Sequence, residues 1–331
     1  MRKNTILIIA AFALFVTASV YAGNENRSGT AGATQLLIPV GARGSAMGGA
    51  VTANSFGVDA LYWNPAGLAW LEGTEAMGTY LPYIADINVT YAAFGKNIED
   101  FGAIALSVKA VSIGDIEETT TLNPEGTGSI YNPTLVVIGA TYARAMTTQV
   151  NFGFTVHYIR DDIFEVSASG LAFDFGFTYE PRWKGLTLGL VIKNYGPNLE
   201  YRGSGFEQPT APGTAPVASE NAKSELPTSI NMGVAYNFVN QGLNQATLSG
   251  NFISNNLTND YWQGGMEYSY NERYALRAGY NYSPNDEYLY GFSLGGGLTF
   301  DLGETMLSFD YSWTETAVFS DNQYFTLTAS F

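Results

Sequence analysis

The sequence contains no cysteine and a single histidine, His157, among its 331 residues. The missing cysteines exclude disulfide bonds, thiolate catalysis, cysteine-ligated zinc and a lipid-modified N-terminal cysteine. One histidine leaves little for a metal centre or a histidine-based proton relay. We therefore predict that the chain is not an enzyme and that it holds neither a metal nor a cofactor.

Charge is also scarce, especially positive charge. Only 14% of the residues are charged, and 30 Asp and Glu face 15 Lys and Arg, which gives a net charge of −15. A soluble protein typically has about 25% charged residues. An acidic chain repels phosphate backbones, so we expect no nucleic-acid partner. The 22 Tyr, 20 Phe and 37 Gly residues instead favour strands, tight turns and membrane interfaces.

Long apolar runs are absent, with one exception at the N-terminus. Residues 6–16 are all apolar, they follow Met1, Arg2 and Lys3, and they precede the small-residue site that ends at Ala22. This pattern is typical of a signal peptide, and we expect residues 1–22 to be removed. Two basic side chains leave with that segment, so the mature chain has a charge of −15 − 2 = −17.

Alternation of apolar and small polar residues is the strongest signal in the mature chain. Residues 150–158, 171–179 and 228–238 carry large apolar side chains at every second position, with mostly Gly, Ser, Asn, Thr and Ala between them. Segments of about 9–13 residues exceed the usual strand length of about 5–6 and match tilted membrane strands. The second face suits a polar barrel interior rather than the Lys- and Glu-rich exterior of a sandwich. The fold class is therefore all-β, a transmembrane antiparallel β-barrel.

Charged side chains within these strands fall on the polar face, and we expect them to face the lumen. A Lys or Arg facing lipid at mid-bilayer would cost about 2–4 kcal/mol. The lumen-facing charges are Lys109, His157, Asp174, Lys193, Glu267, Arg277 and Asp310.

The pattern predicts about fourteen strands between residues 74 and 331. An even number brings both ends of the barrel to one side, and short turns alternate with longer loops, notably 114–133 and 196–226. We expect the long loops to face outward. The terminal aromatic residue, Phe331, is typical of the signal read by the outer-membrane assembly machinery. The predicted location is the outer membrane of a diderm bacterium, with membrane lipid around the barrel.

Residues 23–73 do not alternate, and we predict that they form a plug inside the barrel; they are called the plug segment below. Small residues let a backbone pack closely in a confined space. A buried charge needs a partner, so we expect Arg43 to pair with a lumen acid such as Asp174 or Asp310 rather than with an anionic ligand. The candidate site residues are Gly41, Arg43, Gly44, Met47, Gly48, Gly49, Trp63, Asn64, Pro65, Ala66 and Gly67.

Two motifs in the plug segment, G-A-R-G-S-A-M-G-G-A from Gly41 and W-N-P-A-G-L-A from Trp63, resemble those of the PorV/PorQ family. That family is similar to the FadL group of channels for hydrophobic compounds. The resemblance covers essentially the whole mature chain and implies an N-terminal hatch carrying both motifs.

Two functions follow from the resemblance. PorV/PorQ-like proteins of type IX secretion hold or assist exported proteins at the outer membrane, with secretion-system subunits or cargo proteins as partners. FadL-type channels instead take up hydrophobic small molecules. No motif separates these alternatives.

Overall fold

The computed structural model describes residues 27–208, 217–218, 223–284 and 289–331. The predicted signal peptide, residues 1–22, and the first four residues of the plug segment lie outside these ranges. No helix in the described part of the chain is long and apolar enough to cross a membrane.

Fourteen long antiparallel strands form one closed barrel in which neighbours in sequence are neighbours in space. The predicted fold class and strand number are confirmed. The strands are β1 (Thr74–Pro82), β2 (Asn88–Ile98), β3 (Gly102–Ser112), β4 (Thr134–Ala145), β5 (Val150–Ile163), β6 (Val166–Tyr179), β7 (Leu186–Tyr195), β8 (Ser229–Gln241), β9 (Asn244–Asn255), β10 (Tyr261–Tyr270), β11 (Tyr274–Tyr282), β12 (Tyr290–Asp301), β13 (Met306–Thr316) and β14 (Asn322–Ser330).

The barrel closes where β14 pairs with β1, in a register that places Glu75 opposite Ser330. Beyond that pair, Thr74 and Phe331 exchange both backbone hydrogen bonds, at 3.1 and 2.8 Å. The side chain of Phe331 points outward and is exposed. Closure leaves neither edge of the barrel unpaired, which the apolar interior of a bilayer requires because it offers no competing hydrogen bonds.

The outward face of the wall is apolar along its length. In β3, Ile104, Leu106 and Val108 are exposed, whereas Ser107 and Lys109 between and beside them are buried. A monomeric soluble protein rarely exposes a continuous apolar band of this kind. The period-two pattern of the sequence thus becomes a lipid-facing exterior and a polar interior.

The two rims of the barrel differ in the length of their connections. One rim holds both barrel ends and turns of two to six residues, at 99–101, 146–149, 180–185, 242–243, 271–273 and 302–305. The opposite rim holds the long connections 113–133 and 196–228. In the first of these, Ile116–Glu117 pairs with Ile130–Tyr131 as a small hairpin, and in the second Leu199–Gly203 extends the sheet along β6.

The plug segment consists of short helical pieces inside the barrel. They comprise the α-helices α1 (Ala42–Ala46) and α2 (Ala60–Trp63) and the 3-10 helices Thr34–Leu37, Gly57–Asp59 and Pro65–Trp70. Apolar residues of this segment, including Val58, Leu61 and Leu68, share one buried cluster with Leu81, Tyr91 and Tyr324 of the wall. The plug segment therefore supplies the core that an empty barrel would lack.

Because the chain has no cysteine, single-cysteine variants can report which rim faces outward. We expect Leu122→Cys, in the long connection 113–133, to react with a membrane-impermeant maleimide on intact cells. The matched variant Leu243→Cys, in the short turn 242–243, should react only after the outer membrane is opened. The reverse labelling pattern would mean that the barrel has the opposite orientation.

Candidate functional site: the plug segment and its seat

The first motif enters α1 at Gly41, whose backbone has a φ of 87°. A β-carbon there would overlap the carboxylate of Asp59, and one at Gly44 would overlap the indole ring of Trp63. The backbone N–H of Ala42 donates to the hydroxyl of Thr326 on β14 over 2.9 Å. The glycines of this motif therefore let α1 lie tightly between α2 and the wall.

The second motif is organised by Asn64, which is fully buried. Its Nδ2 donates to the carbonyls of Thr52 at 2.7 Å and of Phe177 on β6 at 3.2 Å. Its Oδ1 accepts the N–H of Ala66 at 3.1 Å, which caps the 3-10 helix Pro65–Trp70. Gly67 follows where a β-carbon would overlap the carbonyl of Ser55. One side chain thus ties the motif to the preceding loop and to the barrel wall.

Inward-facing glycines of the wall form the seat of the plug segment. At each of them an added β-carbon would overlap an atom of the plug segment. Atoms around Pro65 lie on β5 and β6, and atoms of Thr52 lie on β7 and β8. Atoms of Ala46, Met47 and Gly48 lie on β10 to β12. The seat glycines are Gly153, Gly176, Gly189, Gly233, Gly265, Gly279 and Gly295.

Between the seat glycines on β8 and β10, β9 contributes a polar contact instead. Asn251 donates from its Nδ2 to the carbonyl of Gly49 at 2.8 Å. Gly48 and Gly49 adopt positive φ angles of 62° and 81°, which turn the chain back from the wall after α1. These conformations are strained for residues with a β-carbon, so both positions call for glycine.

Arg43 pairs with a lumen acid as expected, but the acid is Glu267, and the two examples predicted from the sequence, Asp174 and Asp310, are wrong. Its Nη2 and Nε donate to Glu267 on β10 at 2.9 and 3.0 Å, and its Nη1 donates to the carbonyl of Asn54 at 3.0 Å. Asp310 is instead occupied by Arg277, whose Nη1 lies 2.5 Å from its Oδ1. Asp174 lies elsewhere, bound to His157. Helix α1 points Arg43 towards β10, where Glu267 is the acid of the barrel wall within its reach.

The resulting cluster links the plug segment to three strands. Glu267 accepts hydrogen bonds from both Arg43 and Arg277, the latter at 2.6 Å. Arg43 and Arg277 carry two positive charges, and Glu267 and Asp310 carry two negative charges. The guanidinium of Arg43 also lies 4.2 Å from the ring centre of Phe56. A bidentate Arg–carboxylate pair is among the stronger polar contacts, at about 1.5–3 kcal/mol for hydrogen bonds to charged groups.

Asp59 lies beside this cluster and was not among the candidate residues predicted from the sequence. Burial raises the pKa of Asp59 to about 7, since the nearby Arg43 only partly offsets the cost of desolvating the carboxylate. Its Oδ2 lies 3.9 Å from Nη1 of Arg43 and has no hydrogen-bond partner among the described residues. A signal was present, because Arg43 and Asp59 are the only charged residues between Arg27 and Glu72.

A second polar cluster surrounds Tyr62 on the other side of the plug segment, towards the long loops. The ammonium groups of Lys109 and Lys193 lie 4.4 and 3.7 Å from the centre of its ring. Lys109 also donates to the carbonyls of Ile38 at 2.8 Å and Gln35 at 3.2 Å. Nothing in the sequence marked Tyr62, because both lysines reach it from distant strands.

Gln35 makes a further polar contact with the wall, at Asp161. The amide of Gln35 and the hydroxyl of Tyr201 donate to its two carboxylate oxygens at 2.5 and 2.6 Å. Tyr201 packs against the buried cluster around Leu36 and Leu199.

Cavities lie on both sides of the plug segment. Two small ones, of about 90 and 30 Å³, border Tyr62 on the side of the long loops. A larger one, of about 650 Å³, lies towards the short turns and is lined by Arg43, Asp59, Glu267, Arg277 and Asp310, among others. Within the described residues, no three His, Asp or Glu side chains are placed to hold a metal ion.

Comparison with known families identifies the chain. A family model described as type IX secretion system protein PorV matches residues 21–257. The chain belongs to the PorV family. The match spans the plug segment with both of its motifs and the strands β1 to β9. The protein is therefore a type IX secretion outer-membrane β-barrel. No curated protein matches the chain.

Solved structures share the fold at low sequence identity. The CymD monoaromatic hydrocarbon channel is 14% identical, with a TM-score of 0.58 over 89% of this chain and 98% of that one. A FadL homologue from Pseudomonas aeruginosa is 13% identical, with a TM-score of 0.56 over 89% and 98%. The toluene transporter TodX from Pseudomonas putida is 15% identical, with a TM-score of 0.53 over 87% and 96%. At these identities the likeness concerns the fold alone.

The seat can be tested with adjacent glycines of β10. A side chain at Gly265 would overlap the carbonyl of Met47, whereas one at Gly264 meets nothing within 4 Å. Overpacking costs about 1–3 kcal/mol, so Gly265→Val should raise the open probability of single barrels in planar bilayers about tenfold. Gly264→Val should behave like the unchanged protein. Equal behaviour of the two variants would contradict the seat.

Asp59 makes the docking of the plug segment depend on pH. Its pKa is raised from 3.8 to about 7, so the docked state retains a proton that a released segment would lose. Docking is therefore strongest at acid pH and weakens as pH rises towards 7. We expect a higher open probability at pH 8 than at pH 5, with a smaller difference in Asp59→Asn, which stays neutral. An identical pH response in both proteins would assign the effect to other groups.

Proposed function

We propose that this protein holds or assists exported proteins at the outer membrane as a PorV-type component of secretion. In this proposal the signal peptide is removed near Gly23, residues 23–73 act as the plug, and residues 74–331 form the barrel. The observation that carries the proposal is the family match over both the plug segment and the first nine strands.

The size and the lining of the lumen cavities support a binding role over the passage of hydrophobic compounds. Pockets for drug-sized ligands typically measure about 300–1,000 Å³ and have predominantly apolar walls. On the side of the long loops, the cavities beside Tyr62 measure about 90 and 30 Å³. The larger cavity on the other side is lined by the Arg43 and Glu267 cluster. A hydrocarbon there would have to contact charged groups, which is unfavourable.

The long loops offer apolar surface for a protein partner. In the connection 113–133, Leu122 is 89% exposed and Ile130 is 66% exposed. The rings of Tyr131 and Phe164 pack 4.8 Å apart beside this hairpin. Exposed apolar side chains in a long loop beyond the barrel wall are typical of interaction sites. We assign this hairpin to the contact with exported proteins or with other secretion subunits.

The test compares a deletion strain with strains carrying variants of the gene. Deletion should trap exported proteins inside the cell envelope, as measured by quantitative mass spectrometry of the medium and the envelope fractions. The double variant Leu122→Ser with Ile130→Ser should restore export only in part, because it removes apolar contact surface. The matched control Leu243→Ser, on the opposite rim, should restore it fully.

Growth on a long-chain fatty acid separates this function from FadL-type uptake. Under the proposal, deletion leaves that growth unchanged. Normal export together with a growth defect would reject the proposal and favour a channel for hydrophobic compounds.

A further inference from the structure

The cavity of about 650 Å³ on the side of the short turns is large enough to hold a ligand. Ligand pockets typically measure about 300–1,000 Å³. The plug segment forms the floor of this cavity, and Glu180 and Glu272, which belong to two of the short turns, line its outer part. A molecule that approaches the rim of the short turns can therefore enter the lumen as far as the plug segment.

Carboxylates outnumber guanidinium groups in the lining of this cavity by six to three. Two of the guanidinium groups are bound by Glu267 and Asp310. The third, on Arg273, lies 4.0 Å from Asp301, which does not line the cavity. The carboxylates belong to Asp59, Glu75, Glu180, Glu267, Glu272 and Asp310.

Three of these carboxylates form no ion pair among the described residues. Glu75 accepts neutral donors, the N–H of Val58 at 2.8 Å and the hydroxyl of Ser330 at 3.3 Å. Glu180 and Glu272 are exposed in their turns. The cavity thus has an excess of negative charge, and a cleft lined by charges of one sign concentrates ions of the opposite sign.

The floor of the cavity also presents aromatic side chains. Phe56 is 51% exposed, and within residues 40–68 it is the only exposed residue; Trp70, also in the lining, is partly exposed. The guanidinium of Arg43 lies 4.2 Å from the centre of the Phe56 ring while it pairs with Glu267. The chain itself therefore shows how an arginine is held here, by an aromatic face together with a carboxylate. This feature is independent of the excess of acids and also favours a cation.

We propose that this cavity binds a basic segment of a partner protein, whose arginine or lysine side chains enter from the rim of the short turns. Glu75, Glu180 and Glu272 are the counter-ions, and Phe56 contacts a cation or its aliphatic stem. Charge-assisted hydrogen bonds inside a confined lumen are stronger than on an open surface. The site goes beyond the proposed function, which places its contact at the opposite rim, and its test does not depend on export.

The probe is fluorescein-labelled tetraarginine, titrated into the purified full-length protein in detergent and followed by fluorescence anisotropy. We expect saturable binding, and about tenfold weaker binding of tetracitrulline, which has nearly the same shape without the charge. Equal binding of the two peptides, or no saturable binding of tetraarginine, would overturn the proposal with the unchanged protein alone.

Matched variants then locate the binding, because a chain with a net charge of −15 could attract tetraarginine elsewhere. The double variant Glu75→Gln with Glu272→Gln should weaken binding about tenfold. Glutamine at position 75 keeps an oxygen that can accept the N–H of Val58. The control Glu99→Gln with Glu304→Gln removes the same charge from two short turns outside the cavity and should bind like the unchanged protein. Equal weakening in both double variants would reduce the effect to net charge and reject the site.

The aromatic contact has its own pair of variants. Phe56→Ala should weaken tetraarginine binding about threefold, because a cation loses a ring face. Phe101→Ala removes a ring of similar exposure from the short turn 99–101, outside the cavity, and should leave binding unchanged. Unchanged binding in Phe56→Ala would remove the floor of the cavity from the proposed site.

Discussion

The plug segment lies with its backbone directly against the barrel wall, and the rest of the interior depends on that contact. It is possible only where the wall lacks side chains, as at Gly153 under Pro65 and Gly279 under Gly48. A single methyl group at such a position would push the segment inward. Close contact also fixes the rotation of α1 about the barrel axis, and with it the direction of Arg43. The ion pair with Glu267 is therefore a consequence of the glycine seat.

Much of the barrel could be predicted from the sequence, because strand pairing obeys a strict period of two. Alternation at 150–158 or 228–238 identifies both the strand and the face of every residue in it, and the even number of strands places both ends of the barrel at one rim. The same rule placed Lys109, Asp174 and Glu267 inside the lumen. It gave no information on which of them meet, since that depends on how the plug segment sits among fourteen strands. The partner of Arg43 was for this reason assigned to the wrong acids.

The sequence also does not show what the inward-facing glycines contact. The alternation places Gly153, Gly176 and Gly233 on the polar face, but small residues there fit a water-filled lumen as well as a plugged one. Their role becomes visible only with the backbone of the plug segment in place. Asp59 was equally hidden, although it is one of two charged residues in a long uncharged stretch. A lone acid beside a lone base in such a stretch indicates that the two share a buried site.

The plug segment separates two groups of charged side chains in the lumen, and their difference bears on function. On the side of the short turns, Arg43 and Arg277 are matched by Glu267 and Asp310. On the side of the long loops, Lys109 is satisfied by carbonyls of the plug segment, and Lys193 faces the ring of Tyr62 in a cavity that Asp174 also lines. A route for uncharged hydrocarbons would gain nothing from a desolvated ammonium group in its path. A protein that recognises polar or anionic partners at its outer side would gain selectivity from it, and this favours a binding role over a conducting one.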